Sequence, residues 1–102
     1  LSSGRAFLFK TAGLGVRQMM GEKRIGVIGV VIENPGAVQE RLNRYISAAK
    51  EIVIGRMGIP YRERNVAVLA LLVDGMIDEI NSLTGQLGAL PGVSVRVALS
   101  KG

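Results

Sequence analysis

Arg56, Tyr61, Arg62, Glu63 and Arg64 crowd between two apolar runs of an otherwise aliphatic chain. Guanidinium groups so concentrated can grip a carboxylate or phosphate through paired hydrogen bonds, with Tyr61 as a wall or a donor. Glu63 among them supports a second reading, in which the same charges pair across a subunit interface. A further candidate is Asn34-Pro35-Gly36-Ala37, at the end of an isoleucine- and valine-rich run. A glycine there lets the backbone approach a ligand, and free amides at a helix start hold a carboxylate. The plainer reading makes Asn34 an N-cap, Pro35 the first helical residue and Gly36 merely permissive.

The rest of the chain offers little chemistry. It has no histidine and no cysteine, so disulfides and thiolate sites are excluded and the commonest transition-metal ligand is missing. No metal and no cofactor is expected. Its carboxylates are scattered, without the placed pair that acid–base catalysis requires, so the expectation is a protein that is not an enzyme. Leu83-Thr84-Gly85-Gln86-Leu87-Gly88 is no phosphate loop, because it falls late in a helix pattern and no Gly-Lys-Ser/Thr follows.

A chain of 102 residues with 48% hydrophobic and 21% charged side chains makes one folded domain. The net charge of +5 is uneven: Leu1 to Gln18 holds Arg5, Lys10 and Arg17 with no acid, leaving ten basic against eight acidic residues elsewhere. That is too weak a bias for direct nucleic-acid binding, and the central strands carry no aromatics on which bases stack. No apolar run reaches the roughly 18 residues of a membrane span, so no membrane contact and a cytoplasmic location are expected. Residues 1–19 read as a leader, a remnant of cloning or gene-boundary assignment; residues 20–102 form the domain.

The elements that position these groups follow from periodicity. Arg24 to Ile32 is a strand, and Val38, Leu42, Tyr45 and Ile46 mark a helix running to about Ala49. Glu51 to Met57 is a second strand, Gly58 to Asn65 a long hairpin connection, and Val66 to Val73 a third strand that Asp74-Gly75 breaks. Ile77, Ile80, Leu83 and Leu87 then mark a second helix, and Val93 to Leu99 a fourth strand. This β-α-β-β-α-β order predicts an α+β ferredoxin-like sandwich, a four-stranded antiparallel sheet with two helices on one face. The first and third strands are aliphatic on both faces, yet two helices cover only one. A homo-oligomer, dimer or tetramer, is therefore expected, with Ile28, Val30, Ile32, Leu69 and Leu71 assigned to the uncovered interface together with Glu63; the leader could cover part of that face.

From about Lys23 to Lys101 the chain resembles the family of iron-only hydrogenase system regulators. The resemblance rests on Val53-Ile54-Gly55-Arg56-Met57-Gly58-Ile59-Pro60-Tyr61-Arg62-Glu63, on Val73-Asp74-Gly75 with Glu79-Ile80, and on Leu83-Thr84-Gly85-Gln86-Leu87-Gly88 with Pro91-Gly92-Val93-Ser94-Val95. It implies an ACT-like fold and a small regulatory or ligand-sensing role toward the hydrogenase system. ACT-like domains place an effector loop where Asn34, Gly36 and Ala37 stand, so a small carboxylate or amino-acid effector is expected there and at Arg56, Tyr61 and Arg62. The fold is also similar to the ligand-binding domain of the nickel-responsive repressor, but the histidines and cysteine of that nickel site are missing here. Alternatives are a structural interaction subunit and an indirectly DNA-associated transcriptional regulator.

Overall fold

The computed structural model describes residues 23–101; the leader expected over residues 1–19 lies outside them. The chain runs β1 (Lys23–Glu33), a 3-10 turn (Pro35–Ala37), α1 (Gln39–Ala48), β2 (Val53–Tyr61), a second 3-10 turn (Arg62–Arg64), β3 (Val66–Met76), α2 (Ile77–Gly88) and β4 (Val93–Leu99). The strands form one antiparallel sheet in the order β2-β3-β1-β4. This is the expected α+β ferredoxin-like arrangement, with β1 and β3 in the centre.

Both helices lie on one face because each has a single apolar stripe. Leu42 and Ile46 of α1, with Val38 just before it, and Ile80, Leu83 and Leu87 of α2 are all buried. They pack against Ile28, Val30 and Ile32 of β1 and Leu69, Leu71 and Val73 of β3. Glu79 accepts a hydrogen bond from the Met76 N–H at 2.9 Å, satisfying one of the donors left open at the start of α2.

That packing corrects the interface assignment. Ile28 and Leu71 are fully buried, and Val30, Ile32 and Leu69 nearly so, all beneath the helices of their own subunit. The face that no other described residue covers holds the residues of opposite phase: Ile25, Val27 and Val31 on β1, Val68 and Leu72 on β3, and Met57, Ile59 and Tyr61 on β2. Neighbours on a sheet share a face when they lie directly opposite, so Ile59, Val68 and Val31 sit abreast, and Leu72 and Val27 beside them. Small residues, Gly29 and Ala70 among them, flatten the middle of this apolar surface.

Three boundaries also differ from the sequence reading. β2 continues through Gly58-Ile59-Pro60-Tyr61, so the expected hairpin connection shrinks to the Arg62–Arg64 turn and Asn65. Pro60 is tolerated because, among the described residues, β2 is an edge strand whose outward N–H groups have no neighbour. β3 passes through Asp74 and Gly75 without breaking, pairing them with Ile25 and Arg24. Gly75 is required there by crowding, since a Cβ would lie 2.7 Å from Ile52 Cγ2. Asn34, finally, stands at the N-cap position before Pro35, but of a 3-10 turn; it is left-handed at φ 55° and its side chain makes no cap bond, and α1 begins only at Gln39.

One irregularity sets the phase of β2. Val53 lies opposite Val73 but Gly55 lies opposite Leu72, so Ile54 is an extra residue in a β-bulge. Beyond it, Arg56 shares the helix-covered face with Leu71 and Gly58 shares it with Leu69.

Candidate functional site

Because the bulge turns Arg56 toward the helices, its guanidinium meets α1. Arg56 Nη2 donates to Asn43 Oδ1 at 2.8 Å. Asn43 and Gln39 are four residues apart on α1, hence on the same side of that helix. Together with Pro35 they wall a cleft of about 310 Å³ between α1 and β2. Buried Ile32, Leu42 and Leu69 line its depth, and Pro60 and Ala67 its rim. Gly58 keeps the floor open, since a Cβ there would come within 3.2 Å of Leu69 Cδ1.

The arrangement pairs one fixed cation with an apolar floor. Asn43 takes one of the guanidinium donors and orients the group, and Gln39 lines the same cleft. A guanidinium fork held in this way suits a carboxylate, with neighbouring amides for a second polar group and aliphatic walls for a short hydrocarbon body.

The other residues expected at a ligand site are dispersed. Asn34 and Ala37 are occupied internally: the Asn34 N–H donates to Asn65 C=O at 2.9 Å, and the Asn34 C=O accepts from the Ala37 N–H at 3.0 Å. Gly36 borders open space, with nothing within 4 Å of a Cβ placed on it, so no close backbone approach demands a glycine there. Tyr61 lies on the opposite face of the sheet, abreast of Val66. Arg62 and Glu63 stand exposed in the second 3-10 turn, where the Arg62 carbonyl accepts from the Asn65 N–H at 3.0 Å. Of the six expected ligand residues, Arg56 alone lines the cleft.

Gln39 and Asn43 were not anticipated. Their spacing on one helix face is readable from sequence, but nothing in it links Asn43 to an arginine on a later strand. A second hollow, about 440 Å³, lies between the helices and is edged by Glu51, Asp78 and Glu79. Among the described residues no group of three or more carboxylates is placed to hold a metal ion, and no described helix is long and apolar enough to cross a membrane.

Residues 24–97 match the TM1266-like family, described as "Iron-only hydrogenase system regulator, putative". Among solved structures, the uncharacterized protein TM1266 from Thermotoga maritima superposes with a TM-score of 0.75 at 31% sequence identity, covering 78% of this chain and 100% of that one. No curated protein matches the chain.

Proposed function

The chain belongs to the iron-only hydrogenase system regulator family, and from that premise we propose that it works as a non-enzymatic, cytoplasmic module that self-associates through its open sheet face and senses a small carboxylate. The observation that carries this reading is the uncovered layer of Ile25, Val27, Val31, Met57, Ile59, Tyr61, Val68 and Leu72, each at least 42% exposed in the single chain. Removing one such half-exposed side chain from water is worth on the order of 1–2 kcal/mol. A continuous apolar surface of this extent is the kind that a partner subunit covers. A second copy supplies the same flat surface in return, as a twofold interface requires.

The sensing half of the reading is supported by the Arg56–Asn43 cleft, which lies on the other side of the same sheet. An effector there would touch β2, and β2 carries Met57, Ile59 and Tyr61 to the open face. Occupancy of the cleft and association of the sheets are thereby joined through one edge strand. A small carboxylate or amino acid is the ligand class that this cation and these amides suit.

Sedimentation of the wild-type chain at tens of micromolar tests the first half, with a discrete dimer or tetramer expected. A stable monomer would overturn self-association. Calorimetry against amino acids and short carboxylates tests the second, with binding expected for the wild type and lost in Arg56→Gln; silence across the panel would remove the sensing role.

A further inference from the structure

At the end of the sheet opposite β2, β4 has a neighbour on one side only among the described residues. The Ser100 N–H donates to the Ile25 carbonyl at 2.8 Å. By the alternation of an antiparallel ladder, Ala98, Arg96 and Ser94 likewise point their backbone groups at β1. Val95, Val97 and Leu99 therefore aim N–H and C=O outward; the Val95 carbonyl accepts from Arg96 Nη1 at 2.9 Å, a bond that an added strand would replace, and the Val93 N–H is taken by the Leu90 carbonyl at 3.3 Å. Such a row of outward groups is a template for one more strand. The β2 edge offers no equivalent, being interrupted by the bulge at Ile54 and by Pro60.

Alongside the β4 edge, α2 leaves room. An open groove of about 450 Å³ lies between them, lined by Thr84, Gly85 and Gly88 of the helix and by Val95, Arg96 and Val97 of the strand. A Cβ added at Gly85 would meet nothing within 4 Å, and one at Gly88 would stop 3.9 Å from Val95 Cγ2. An added strand would send every second side chain into this space beside Val95 and Val97, so aliphatic groups fit there. Its other side chains would lie on the face that holds Arg96.

Charge narrows the choice. Residues 89–102 contain Arg96 and Lys101 but no aspartate or glutamate, and Arg24 Nη1 donates to the Ser100 carbonyl at 3.2 Å near the same edge. We propose that the groove between α2 and β4 takes an extended acidic segment of a partner protein as a fifth strand, with aliphatic side chains against Gly85 and Gly88 and carboxylates beside Arg96. A second copy of β4 is the poorer occupant, because full-length antiparallel self-pairing centred on this strand sets Arg96 against Arg96. The backbone pairing and the aliphatic side chains of the added strand are independent of what covers the open sheet face, whereas its carboxylates share that face with Arg96, which lies opposite Gly29.

The test is fluorescence anisotropy of the full chain with a labelled peptide as long as β4, alternating valine and glutamate. Saturable binding is expected, together with failure of the same peptide carrying lysine in place of glutamate. Val97→Pro removes an outward-pointing donor and spares the ladder to β1; Gly85→Leu fills the groove and improves helix propensity. Each should weaken binding by roughly tenfold or more, and an undiminished unfolding temperature for Gly85→Leu separates that loss from misfolding. Absence of saturation, equal binding of the lysine peptide, or unchanged binding by Gly85→Leu would each overturn the proposal. So would a wild-type dimer that Gly85→Leu converts to monomer, which would assign the edge to self-pairing.

Discussion

Asn34 and Asn65 hold one another at the end of the β1–β3 ladder: the N–H of Asn34 donates to the carbonyl of Asn65 at 2.9 Å, and both backbones are left-handed at φ 55°. Beyond the last paired residues, Glu33 and Val66, this contact ties the entry to α1 to the exit from β2. Asparagine tolerates the left-handed region better than other non-glycine residues. Replacing either by alanine should cost about 1 kcal/mol in chemical denaturation, and replacement by glycine measurably less. Equal losses for the two would mean that the side chains, not the backbone angle, matter there.

Crowding at Gly75 makes a sharper expectation. The alanine variant would bring its methyl to 2.7 Å from Ile52 Cγ2 and 3.0 Å from Ile52 Cβ, an overpacking that costs roughly 1–3 kcal/mol. Trimming the neighbour in Gly75→Ala/Ile52→Ala should leave the double variant more stable than the sum of the single losses predicts, and a thermal double-mutant cycle measures the coupling.

The two faces of β1 should respond to different degrees. Ile28→Ala empties a fully buried site and should cost roughly 2–5 kcal/mol of folding stability. Val27→Ala, on the uncovered face, should change the stability of the isolated domain by well under half of that. Urea denaturation of both variants at a dilution where the chain is monomeric provides the comparison.

Charge placed on the uncovered layer should act on association alone. Val68→Glu, at a position 49% exposed in the single chain, should fold normally yet sediment as a monomer. Retention of the wild-type oligomer in this variant would mean that subunits meet through another surface.

The Arg56–Asn43 bond is exposed on the surface, so breaking it should hardly affect folding. Asn43→Ala should shift stability by about 0.5 kcal/mol or less. The same change should weaken carboxylate binding severalfold in calorimetry, because the guanidinium loses the group that orients it.

Much of the fold was legible because its signals are local. Val38, Leu42 and Ile46 recur at helical spacing, β4 alternates, and the element order leaves few topologies. The phase of the sheet was not local. Ile28 and Val27 are equally aliphatic neighbours, and only the helices' placement decides which is core. Pro60 carries an ambiguous signal for a similar reason: it reads as a turn until the strand is known to lie at an edge. The ligand candidates scattered because adjacency in sequence put Arg56, Tyr61 and Arg62 together, whereas a strand sends Arg56 and Tyr61 to opposite faces. Asn43 came to Arg56 only through tertiary packing.

Ile54, the extra residue in the bulge, works as a parity switch for the edge strand. Excise it, and the alternation downstream reverses: the guanidinium of position 56 would emerge among the greasy side chains of the bare layer, while Met57 and Ile59 would be driven under α1. A single extra residue therefore keeps the polar recess and the adhesive surface on separate sides of one ribbon.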